Sequence, residues 1–126
     1  MPVLKSAHPP KNLDLRTIRL PLPGIVSILH RVSGVLLFVG GIPLFLSLLD
    51  HLLHPQAEGP GAGISPFIKG LLALLLWAFI HHFCAGIRFL LLDIHRGTDI
   101  AQARSSSRWV MVISLGVTLL VEGWLW

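Results

Sequence analysis

Three long apolar stretches separated by polar segments set the pattern of this chain. The first is strongest over residues 34–49 and extends back as helix to about 24. The second runs over about 66–92 and the third over 109–126. About 18 to 26 helical residues reach roughly 27–39 Å, enough to cross a hydrocarbon core of about 30 Å. The pattern predicts an all-α membrane protein with three transmembrane helices. An N-terminal tail over 1–23 precedes an anchor domain over 24–126. Residues 50–65, rich in glycine and proline, form a first loop, and 93–108, containing Ser105-Ser106-Ser107, a second, polar one. Pro43 falls inside the first span, where a kink is tolerated if neighbours satisfy the freed carbonyl.

Composition agrees. Only 13% of the 126 residues are charged and 53% are hydrophobic, with a mean hydropathy of +0.75. Soluble domains carry about a quarter charged residues, so the chain belongs to the membrane class and has no room for an added soluble catalytic domain. The formal net charge of +4 is sorted by segment and not spread over one surface, which argues against nucleic acid as a partner. Lys5, Lys11, Arg16, Arg19 and Arg31 stand before or at the head of the first span, and Arg88, Arg96, Arg104 and Arg108 surround the second loop. The first loop has only Lys69, at its far edge. The positive-inside rule therefore places the N-terminus and second loop in the cytoplasm, and the first loop and C-terminus outside. Trp109, Trp124 and Trp126 then fall at the two interfaces. Residues 1–23 lack the apolar core of a signal peptide. Cys84 is the single cysteine, which excludes an internal disulfide and a cysteine-held cluster.

Polar residues within the spans carry the chemistry, because an ionisable group at membrane depth costs roughly 2.5–3.5 kcal/mol on insertion scales. Ser27, His30 and Arg31 share one helical face at the cytoplasmic head of the first span. Either Arg31 snorkels to lipid headgroups while Ser27 caps the helix, or the cluster binds an anionic or carbonyl-bearing group. His81-His82 interrupts the second span, with His82 roughly 9 Å deeper than Arg88 by helical rise. A histidine there either hydrogen-bonds a neighbouring helix or ligates a haem iron as neutral imidazole. A haem at that depth would extend its propionates toward His30, Arg31 and Arg88. His81 and His82 point about 100° apart, and spacing alone does not choose between them. Gly86, on the face of His82, could admit a flat macrocycle or a neighbouring helix. His8, His51, His54 and His95 lie in the tail, the loops or their edges and take no site. No other histidine lies at comparable depth, so a partner membrane subunit would supply a second axial ligand.

Two strings are more specific. Asn12-Leu13-Asp14-Leu15-Arg16-Thr17-Ile18-Arg19-Leu20-Pro21 is followed by Ser27-Ile28-Leu29-His30-Arg31-Val32-Ser33-Gly34-Val35, and later His82-Phe83-Cys84-Ala85-Gly86-Ile87-Arg88 by Asp93. Together they resemble the cytochrome b membrane-anchor subunits of succinate dehydrogenase, over the whole chain. The resemblance implies a multi-pass subunit of the bacterial inner membrane, with no complete active site of its own. In that complex a flavoprotein subunit oxidises succinate, an iron–sulfur subunit relays electrons, and two anchor subunits hold haem b and ubiquinone. It implies that His82 is the axial haem ligand, that Ser27 and Arg31 line the ubiquinone site, and that His30 and Arg31 neighbour the haem propionates. The chain departs from many relatives in having Phe89 where they carry a second histidine. A haem-free structural anchor and a quinol:fumarate reductase working in reverse are the competing readings. No span pair shows the matched broken helices of a transporter.

Overall fold

The computed structural model describes residues 14, 17–54 and 65–125. Lys5, Lys11, Arg16, the centre of the first loop (55–64) and Trp126 lie outside the described residues. Among the described residues four α-helices and one π turn build three rods: α1 (Leu22–Leu36), the π turn (Leu37–Gly41), α2 (Ile42–Leu53), α3 (Pro66–Asp93) and α4 (Ile100–Leu125). The first rod, Leu22–Leu53, and the other two are each long and apolar enough to cross a membrane.

Each boundary has a local cause. Pro21, in extended conformation, precedes α1, and Pro23 occupies its first turn, where a missing N–H costs nothing. The expected disturbance at Pro43 takes the form of the π turn just before it. Ile42 N–H bonds Leu37 O, one residue further back than in an α-helix, and Pro43 then sits in the first turn of α2. Ser65 caps α3 by accepting from Ile68 N–H at 3.3 Å, and Pro66 follows at the first helical position. At its far end α3 closes in a Schellman motif: His95 N–H bonds Leu92 O and Arg96 N–H bonds Leu91 O, both at 3.0 Å. His95 takes the left-handed conformation there, at φ 58°.

The second loop is shorter than the sequence pattern predicts. Helix α4 begins at Ile100, so Ile100 to Arg108 are helical and only 94–99 connect the rods. Polar residue types hid these turns, which form because their small side chains pack on α3. Ser107 is fully buried, its hydroxyl donating to Ala103 O at 2.7 Å.

The core is small and polar. Leu75, Ala78, His81, Ala85 and Arg88 make the buried stripe of α3; Ser107, Val110, Ser114 and Thr118 make that of α4. The hydroxyls of Ser114 and Thr118 bond back to their own helix, at Met111 O and Ser114 O. They then offer slim surfaces that let backbones approach, as membrane helices require. Large apolar side chains such as Phe38, Phe45, Leu90, Leu119 and Trp124 point outward on every rod. Burial is thus inverted relative to a soluble bundle.

Candidate functional site

Helices α1 and α3 run antiparallel and bring the two sequence strings into one interlocked cluster. The His82 ring stacks on that of His30, with centroids 4.1 Å apart and planes 9° from parallel. Its Nδ1 lies 3.0 Å from the main-chain O of His30 and 3.2 Å from Ser33 Oγ. Ser33 Oγ itself donates to the same carbonyl at 2.9 Å. A carbonyl can only accept, so His82 Nδ1 carries the proton and donates. In the neutral ring Nε2 is then left as the lone-pair nitrogen, with no partner among the described residues. This fixing of tautomer and ring orientation by a carbonyl is the support that metal-ligating histidines usually have.

Glycine makes the stack possible. A Cβ on Gly34 would stand 3.0 Å from His82 Cε1, tighter than nearly all real contacts. A Cβ on Gly86 would stand 3.7 Å from His30 Nε2. That is ordinary contact distance, so the close approach belongs to Gly34, and Gly86 only borders the α1 imidazole. Phe89 also lies against His30, centroids 5.1 Å apart at 59°. It also packs on the buried cluster of Val26, Ala85 and Val110. Phe89 thus serves as a hydrophobic backstop to the imidazole pair.

His81 faces the opposite way. It is fully buried toward α4, with Nδ1 3.4 Å from Ser114 Oγ and its ring stacked on Trp77 at 5.2 Å. This is the interhelical role open to a membrane histidine. Ser27 is half-buried on the face of α1 that carries His30 and Arg31. Arg31 is exposed, without a hydrogen bond or ion pair among the described residues. Arg88 is not brought to the imidazoles. Only 5% exposed, it turns toward α4, donating from Nε to Ser106 Oγ at 3.0 Å and from NH2 to Ala103 O at 3.4 Å.

The family model for the succinate dehydrogenase/fumarate reductase transmembrane subunit matches residues 5–121. The chain belongs to that family. It is similar to the succinate dehydrogenase cytochrome b556 subunit of Coxiella burnetii, 31% identical over 96% of this chain and 99% of the relative. It is 30% identical to the b556 subunit of Paracoccus denitrificans, over 88% and 87% of the two chains. A mitochondrial b560 subunit from Dictyostelium discoideum, also 30% identical, matches over 87% of this chain and 59% of its own length. As a cytochrome b anchor subunit with three apolar helices, the chain is a multi-pass protein of the bacterial inner membrane.

In this chain the Ser-x-x-His-Arg-x-Ser-Gly string has a packing logic that residue types did not disclose. Ser33 and Gly34, without a role from spacing, form the seat of His82, and His30 acts there through its backbone. A main-chain carbonyl leaves no trace in side-chain chemistry; the available signal was the small Ser33-Gly34 pair one turn after His30.

Proposed function

We propose that this chain is the haem b-ligating, quinone-site anchor of a succinate:quinone oxidoreductase, with His82 Nε2 as an axial ligand of the haem iron. The observation that carries the proposal is the His82 Nδ1 bond to the His30 carbonyl, which leaves an oriented Nε2 free to ligate. When bound, a haem would supply a one-electron store. A second anchor subunit would supply a further protein ligand. His30 cannot provide it, because its ring lies face to face with His82 on the same side of the site. The naming of the relatives as succinate dehydrogenase subunits favours the succinate direction.

On this reading His30 and Arg31 face the haem propionates, while Ser27 and Arg31 donate to a carbonyl oxygen of ubiquinone. Arg88, held by α4, is left out of the propionate set. The basic end of the bundle lies in the cytoplasm, where the iron–sulfur subunit and, through it, the flavoprotein dock. The test is an oxidised-minus-reduced spectrum of membranes carrying the complex, recorded with and without succinate. A low-spin b-type signal that succinate reduces supports the proposal. A complex that turns over quinone without any b-type signal would reduce the chain to a haem-free anchor.

A further inference from the structure

Arg88 poses a charge problem that the haem and quinone site does not absorb. Its side chain is 5% exposed, yet its recorded partners are all neutral: Ser106 Oγ, Ala103 O and the Phe89 ring, whose centroid lies 5.3 Å from the guanidinium carbon. No carboxylate lies within ion-pair distance of it among the described residues. A nearly buried cation in apolar surroundings is costly unless paired. Neutral acceptors solvate part of the guanidinium and leave its net charge uncompensated.

The same arginine lines an open groove of about 600 Å³ on the outer side of the α3–α4 pair. Its lining combines Arg88, Arg96 and Ser106 with Trp109 and, one to two turns deeper along the helices, Cys84 and Ile113. Within α3 the groove follows the helix from Leu92 to Cys84, about 12 Å by helical rise, and Arg96 stands just past the helix end. Trp109 is 62% exposed and marks the interfacial level, as exposed tryptophan does on membrane helices. Cations at that level above a long apolar channel match an amphiphile with an anionic head and a hydrocarbon tail. Basic recesses between transmembrane helices on the cytoplasmic side take such headgroups.

We propose that the α3–α4 groove binds an anionic phospholipid, its phosphodiester held by Arg96 and Arg88 and one acyl chain lying along Cys84 and Ile113. The site is separate from the His82 cluster. Arg88 lies six residues further along α3, about 240° around the helix, and faces α4 where His82 faces α1. The lipid provides the counter-charge that the chain does not, and it seals a gap between two helices.

The test uses the complete complex, purified in non-ionic detergent and exchanged into an equal mixture of phosphatidylglycerol and phosphatidylcholine. Native mass spectrometry then counts the lipids retained. Wild type should keep one more phosphatidylglycerol per copy of this chain than Arg96→Gln does, with retention lowered about fivefold for one lost surface cation. Arg96→Lys should restore it. Ile113→Trp, which fills the channel, should remove that lipid while the haem spectrum stays unchanged. Millimolar glycerol phosphate, a headgroup without tails, should not compete. A photoreactive residue at position 87 should form an adduct with an acyl chain. Equal retention of both lipids in wild type and Arg96→Gln overturns the proposal. An adduct with another polypeptide overturns it too, since a subunit would then cover the groove.

Discussion

His82 donates from Nδ1 to the main-chain carbonyl of His30 across the α1–α3 contact, at 3.0 Å. One bond thereby links the two sequence strings and decides which nitrogen of His82 can ligate. It also separates His82 from its neighbour, because His81 spends its Nδ1 on Ser114 of α4. The two also differ in access: His81 keeps its Nε2 buried inside the bundle, whereas His82 is only half-buried.

His82→Leu should abolish the low-spin b-type spectrum of the assembled complex. His81→Leu should preserve it, at the cost of one interhelical hydrogen bond, about 0.6 kcal/mol within a membrane. The reduced-minus-oxidised spectrum of both variants decides the matter. A normal spectrum in His82→Leu, or its loss in His81→Leu alone, would reverse the assignment.

The two glycines should respond differently to alanine. At Gly34 a methyl would meet His82 Cε1 at 3.0 Å and push the ring off its carbonyl. Gly34→Ala should therefore shift the haem midpoint potential and lower haem content. At Gly86 the new methyl sits at ordinary contact distance, 3.7 Å from His30 Nε2. Replacing a helix-interior glycine there should gain about 0.5–1 kcal/mol and leave the haem unchanged. Haem per complex and a redox titration measure both, and equal effects at the two positions would contradict the packing described.

The three spans were legible because hydrocarbon imposes length and apolarity, and the helices found contain each predicted stretch within the described residues. Helical spacing also placed His81 and His82 on different faces. The first turns of α4 were not legible. A run such as Arg104-Ser105-Ser106-Ser107-Arg108 reads as loop until a neighbouring helix is present to bury Ser107. Arg88 shows the limit of arguing by depth. It does lie beyond His82 toward the basic end, but depth carries no information on azimuth, and its guanidinium belongs to the α4 side. The carbonyl of His30 was invisible for a different reason, since every residue has one and only the fold selects which is used.

His95 closes α3 with a left-handed backbone, φ 58°, in an exposed position. Residues with a Cβ pay about 1–2 kcal/mol for that conformation, whereas glycine adopts it freely but loses more entropy on folding. His95→Gly should thus stabilise the bundle by about 0.5–1 kcal/mol, and His95→Val, β-branched, should destabilise it. Thermal loss of the haem band in purified complex reports both shifts. The same sign for the two variants would show that the turn, and not the backbone conformation, sets the stability.

Ser27 and Arg31 give the sharpest separation between a structural and a functional cluster. Ser27 is half-buried beside His30, and Arg31 is exposed with no partner among the described residues, so neither is committed to holding α1 against α3. A quinone carbonyl gains electron density as it is reduced, and donors placed there stabilise the charge that develops. A hydrogen bond from a charged donor contributes roughly 1.5–3 kcal/mol, so its loss should cost about ten- to a hundredfold in rate. Arg31→Leu should therefore depress succinate-to-quinone turnover by that factor, and Ser27→Ala by less, since its donor is neutral. Succinate oxidation by an artificial acceptor that takes electrons from the soluble subunits should stay near wild type in both. Parallel loss of the two activities in assembled complex would make the cluster structural, whereas full quinone turnover in both variants would place the quinone elsewhere.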